Sequence, residues 1–75
     1  MQSKYVLKKG HKGDLVEAVQ EALGLRIDGV FGPRTEQAVK SFQIDNGLVG
    51  DGIVGPMTWR KIGLSPQELE ADTDI

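Results

Sequence analysis

The sequence predicts a small all-α fold, a three-helix bundle built from two copies of one helix–turn unit, with a short fourth helix near the C-terminus. Three observations carry that expectation. A segment recurs at an offset of 23 residues, IDGVFGPRT at 27–35 and GDGIVGPMT at 50–58. Apolar residues fall at helical spacing between these segments. Gly-Pro and Gly-Leu pairs stand where helices would start and stop. Length bounds the rest. Seventy-five residues make one domain, and a chain this small buries only about 60% of its unfolded surface. Cysteine is absent, so no disulfide staples the fold, and one histidine cannot fill a zinc site. A regularly packed core must supply the stability, and no metal or other cofactor is expected.

The repeat aligns 16–41 with 39–64. Val16, Gln20, Gly24 and Leu25 meet Val39, Gln43, Gly47 and Leu48. Asp28, Gly29, Gly32, Pro33 and Thr35 meet Asp51, Gly52, Gly55, Pro56 and Thr58. The first helix is expected over 14–23. Asp14 with Glu17 resembles a capping box, Val16, Val19 and Leu23 share a face, and Gly24 suits the C′ position. The second helix is expected over 33–45. Pro33 fits N1, where a missing N–H costs nothing. Thr35, Ala38, Val39 and Phe42 follow the helical period, which places Phe42 in the core, and Asn46-Gly47 ends the run.

The third helix, over 56–62, opens at Gly55-Pro56 and stops at Gly63. It is too short to be stable alone, so Trp59 and Ile62 must anchor it. The segments 27–31 and 52–54 are too short for strands. They read as apolar turns laying Val30, Phe31, Ile53 and Val54 over the helix ends. After Leu64, Ser65-Pro66-Gln67-Glu68-Leu69 offers a cap, Pro at N1, Glu at N3 and a Leu64–Leu69 staple. The expected organisation is an arm at 1–6, a domain at 7–64, and a linker or acidic tail at 65–75.

Charge narrows the function classes. Nine basic and eleven acidic residues give a net charge of -2. Lys4, Lys8, Lys9 and Lys12 cluster near the start, and Glu68, Glu70, Asp72 and Asp74 near the end. A nucleic-acid module would show a net basic charge and a basic stripe, so no nucleic-acid partner is expected. Solvated termini explain both clusters. The start is too polar for a secretory signal, and no membrane segment is visible. The chain reads as an excised module, or as part of a protein made without a signal.

The motifs have structural explanations. Residues 50–55 match G-x-G-x-x-G, but the strand and βαβ unit that give it a dinucleotide meaning are missing. Asp28-Gly29 and Asp51-Gly52 each bring one carboxylate, where a calcium loop needs several. Such Asp residues suit tight turns. His11 has no spacing to a serine and an acid that would make a triad, and short helices offer no deep cleft for paired carboxylates. The module is expected to have no catalytic residue. Gln20 and Gln43 read first as amides satisfying the neighbouring Asp-Gly turns, and second as ligand contacts. Trp59 reads as an indole half-buried with its N–H near the surface.

With D-G-x-x-G-P-x-T doubled and A-V-x-x-F-Q between the copies, residues 7–64 resemble the peptidoglycan-binding domain family. That family is the three-helix repeat module of bacterial and phage cell-wall hydrolases. One departure is local: Leu25 and Asp28 are joined only by Arg26-Ile27, without the longer Gly- and Tyr-bearing connection common in the family. The resemblance implies a non-catalytic module binding a peptidoglycan glycan strand or stem peptide at the bacterial cell wall. It also implies a covalently linked hydrolase partner. A monomer is expected from the capping and helical periodicity, and no membrane partner because no apolar span is visible. A similar fold serves as a protein-interacting prodomain, so a protein-interaction module of a phage-tail or secreted protein is the alternative. A helical nucleic-acid binder using the lysine cluster is the weaker one. Within the wall-binding reading, the ligand surface is expected between the Asp-Gly turns and the helix starts, where free N–H groups gather. The candidates there are Asp28, Arg34, Thr35, Gln43, Asp51, Thr58 and Trp59.

Overall fold

The computed structural model describes residues 5–69. Residues 1–4 of the arm expected at 1–6, residues 70–75 of the tail expected at 65–75, and the side-chain contact of the Leu64–Leu69 staple lie outside the described residues and side chains. Three main helices form, α1 (Asp14–Ala22), α2 (Pro33–Asp45) and α3 (Pro56–Ile62), followed by the short α4 (Pro66–Leu69). Among the described residues there is no strand, only the isolated antiparallel bridges Leu7–Val54 and Lys12–Val30.

Helix boundaries follow local chemistry. Pro33 and Pro56 open α2 and α3 behind Gly32 and Gly55, whose backbones match at φ -108. The carboxyl ends of α1 and α2 match as well. Gly24 and Gly47 take φ of 74 and 76, and the N–H groups of Leu25 and Leu48 reach back to the carbonyls of Gln20 and Gln43, both at 2.8 Å. This is the six-to-one closure of a Schellman motif, which needs a left-handed residue in the middle. The start of α1 departs from expectation. Gly13 is the N-cap and no side chain caps the helix, so the Asp14–Glu17 box does not form. Asp14 is already helical, and its carboxylate and that of Glu17 sit in the first turn, at the positive end of the helix.

The apolar core contains Leu7, Leu15, Val16, Val19, Phe31, Val39, Val54 and Trp59, with Tyr5, Leu23, Ile62 and Leu64 packed against it. Phe42 is not among them; it is half-buried and lies outside this cluster. Helical spacing identifies a face, but α2 turns Thr35, Val39 and Gln43 inward, leaving Phe42 beside that stripe. The two turn segments likewise bury only two of their five apolar residues, Ile27 being exposed as well. Phe31 and Val54 are enclosed, whereas Val30 and Ile53 are 44% and 37% exposed.

A long-range element explains that selection. The segment from Tyr5 to Gly13 runs across both turns. Leu7 exchanges two backbone hydrogen bonds with Val54, at 3.1 and 2.8 Å. Further along, the Gly10 N–H donates to the Phe31 carbonyl at 2.9 Å, the Phe31 N–H to His11 at 2.9 Å, and the Gly13 N–H to Gly29 at 3.0 Å. The two repeats are thus tied to one extended segment, which sets which turn side chains face the core.

Candidate functional site

Each repeat closes on a buried glutamine. Gln20 and Gln43 are each 1% exposed. Their helix-end carbonyls close the Schellman turns, and their side chains organise the loop that follows. The Gln20 amide nitrogen donates to Asp28 Oδ1 at 2.9 Å, to the Val30 carbonyl at 3.1 Å and to Thr35 Oγ1 at 3.1 Å. Its oxygen accepts the N–H groups of Asp28 at 3.1 Å and Gly29 at 2.9 Å. Gln43 repeats the pattern, donating to Asp51 Oδ1 at 3.1 Å, the Ile53 carbonyl at 2.8 Å and Thr58 Oγ1 at 3.0 Å. It accepts from the Gly52 N–H at 2.9 Å. Among the described residues no buried side-chain polar atom is left unpaired, as a low-dielectric interior demands.

The aspartates link these networks to solvent. Both are exposed. Asp28 Oδ1 accepts the Val30 N–H at 3.0 Å and Asp51 Oδ1 the Ile53 N–H at 2.9 Å, so each folds its own turn. The Val30 N–H, then the Gln20 amide, holds the Asp28 carboxyl below the ordinary aspartate range, and the Arg26 charge adds to this.

Two concave surfaces result, one per repeat. The first, about 660 Å³, lies between the Asp28 turn and the start of α2 and is bordered by Leu25, Arg26, Val30 and Arg34. The second, about 360 Å³, lies between the Asp51 turn and the start of α3 and is bordered by Leu48, Val49, Ile53 and Met57. Both are open clefts of a size suited to a small ligand or a short peptide.

The structure divides the predicted candidates into three groups. Asp28, Arg34 and Thr35 meet at the first cleft, and Gln43, Asp51 and Thr58 at the second. Within these, Thr35, Gln43 and Thr58 are buried and engaged in the networks, while Asp28, Arg34 and Asp51 face solvent. Trp59 stands apart. It is 3% exposed, and its indole N–H donates to the Tyr5 carbonyl at 2.7 Å instead of lying near the surface. It borders a different depression with Tyr5, Pro56 and Leu64. Gln20 has the same structural role as Gln43, in agreement with the turn-satisfying reading of both amides. Arg26 at the rim of the first cleft was not among the candidates. The signal for it was present in the repeat, where Arg26 aligns with Val49 just as Arg34 aligns with Met57. Among the described residues no cluster of three or more His, Asp or Glu side chains could hold a metal ion.

Known proteins resemble this chain in sequence and in fold. A family model for the peptidoglycan binding domain matches residues 12–62, which takes in both clefts. The chain is 42% identical over 64 residues to a zinc D-Ala-D-Ala carboxypeptidase of Streptomyces albus G, covering 75% of this chain and 25% of that protein. The crystal structure of a Burkholderia AP3 phage endolysin matches with a TM-score of 0.76 and 40% identity, over 77% of this chain and 24% of that one. A peptidoglycan-binding protein from Clostridioides difficile, solved in complex with glutamine hydroxamate, matches with a TM-score of 0.76 and 44% identity. That match covers 80% of this chain and 45% of the other. The chain spans 57%, 25% and 18% of the lengths of three curated relatives.

Proposed function

We propose, for a chain that belongs to the peptidoglycan binding domain family, that it is a non-catalytic module holding an associated cell-wall hydrolase at its polymeric substrate. The observation that carries this reading is the family match across 12–62. It is supported by relatives and structural neighbours that include a carboxypeptidase, an amidase and an endolysin. The physical benefit is local concentration. A weak binder linked to an enzyme makes the encounter with the wall effectively intramolecular, at about millimolar effective concentration for a short flexible linker.

The binding unit in this reading is 7–64, acting at the bacterial cell wall as a monomer. Its contact surface is the pair of clefts. Asp28, Arg34 and Asp51 present polar groups to a sugar-peptide polymer, while Thr35, Gln43 and Thr58 hold the turns that carry them. Trp59 supports the third helix from within.

Cosedimentation with purified bacterial sacculi tests this. The chain at micromolar concentration should pellet with sacculi, and the suspension should keep its turbidity for hours. A chain that stays in the supernatant refutes the binding role. Release of reducing ends or free amines that stops on substituting His11 or one carboxylate refutes the non-catalytic role.

A further inference from the structure

The two clefts have one framework and two chemistries. The buried glutamine, the turn aspartate, the glycine-proline helix start and the threonine are identical in both repeats. The rims differ in chemical character at two aligned positions, where the first cleft carries Arg26 and Arg34 and the second Val49 and Met57, while Val30 and Ile53 are both aliphatic. All four side chains are exposed, Val49 at 79% and Met57 at 59%. None supports the core, so the difference is not one of packing. Neither arginine side chain forms a hydrogen bond or close ion pair with another described residue, although the Arg26 charge acts on the Asp28 carboxyl from a distance. Asp28, the acidic group of that cleft, already has its Oδ1 committed to the Val30 N–H and the Gln20 amide.

We propose that the first cleft is the carboxylate-selective subsite of this module. It takes the free α-carboxylate of a short peptide between Arg26 and Arg34, and the second cleft does not. This rests on the wall-binding reading above and names the chemical group it recognises. Among the residues that border them, two guanidinium groups and one carboxylate stand at the first cleft, and the Asp51 carboxylate alone at the second. Behind the turns, Glu17 lies beside Gly29, and Glu36 and Lys40 beside Gly52, so the arginines at the rim and not the overall charge distinguish the first cleft. An anionic ligand end therefore meets two exposed guanidinium groups at the rim of one repeat and the apolar Val49 and Met57 at the other. Guanidinium also matches carboxylate in plane and fork geometry, which a lysine would not. Because the contact is solvent-exposed, the expected selectivity is modest, about tenfold in Kd.

The test uses the full chain and two probes, N-acetyl-D-alanyl-D-alanine and its C-terminal amide, titrated by amide-resolved NMR. The free acid should shift Gly29, Val30 and Arg34 with about tenfold lower Kd than Gly52, Ile53 and Met57, and the amide should lose that preference. Arg26→Val with Arg34→Met should abolish the preference. Val49→Arg with Met57→Arg should create carboxylate binding at the second repeat. Each pair of residues already occurs on the same framework, and thermal melts check that folding is kept. Equal response of both clefts, no response to the free acid, or a preference that survives the first pair of substitutions overturns the proposal. Wild-type sacculus binding, measured in parallel, separates the two ideas. If it is retained while the selectivity is absent, only the subsite assignment fails; if it is absent, the wall-binding reading fails.

Discussion

Replacing Gln20 with leucine should remove more stability than any exposed substitution in the chain. Leucine has nearly the volume of glutamine, so the effect is one of hydrogen bonding and not of a cavity. Five hydrogen bonds disappear. Two of them, to Thr35 Oγ1 and from the Gly29 N–H, are buried, and leaving each partner unsatisfied costs about 1–3 kcal/mol. The other three are only partly buried, and water can replace them at small cost. The sum is roughly 3–5 kcal/mol, against a total of about 4–11 kcal/mol for a domain of this length. Urea unfolding followed by Trp59 fluorescence and by circular dichroism measures it. With a slope near 1 kcal/mol/M, the midpoint should fall by about 3 M or more, or the variant should be unfolded in buffer. Gln43→Leu should behave alike, since Gly52 N and Thr58 Oγ1 are its buried partners. The exposed Gln37→Leu should stay within about 0.5 kcal/mol of wild type. A Gln20→Leu variant that loses less than about 1 kcal/mol would show that the turns hold without the amide, and the account of both clefts would fail with it.

Three further outcomes are expected. The Asp28 carboxyl titrates below its unfolded value, so its stabilising contribution is present above the ordinary aspartate range and is lost as pH falls through the folded pKa. Stability should decline on acidification, Asp28→Asn should reduce that slope, and Arg26→Val should move the Asp28 pKa upward in an NMR titration. Phe31→Ala should cost about 3–5 kcal/mol, because the ring is 1% exposed in the core. Phe42→Ala should cost roughly 1–2 kcal/mol, because only part of its surface leaves water; equal losses in urea melts would contradict the packing described. Gly52→Ala should cost about 1–2 kcal/mol, since φ is +77 and the added Cβ would lie 2.9 Å from Glu36 Cγ. A melt unchanged from wild type would show that the turn relaxes freely.

The family, the three main helices and the location of the turns were legible in the sequence because they depend on neighbours in the chain. Pro33 and Pro56 can open a helix but not continue one, Gly24 and Gly47 can adopt the left-handed closure, and the 23-residue offset exposes the duplicated unit. The turn-satisfying role of Gln20 and Gln43 was also within reach, since both stand at the same place in each copy. Tertiary structure decided what depends on distant partners. The crossing of the Tyr5–Gly13 segment over both turns selected Phe31 and Val54 for the core and left Val30 and Ile53 outside. The Tyr5 carbonyl, 54 residues from Trp59, drew the indole N–H inward. The face of α2 that seats Thr35, Val39 and Gln43 in the interior leaves Phe42 at its edge. Periodicity reports that a helix has an apolar face; which residues at its margin are buried depends on the surface that packs against it, and that surface comes from elsewhere in the chain.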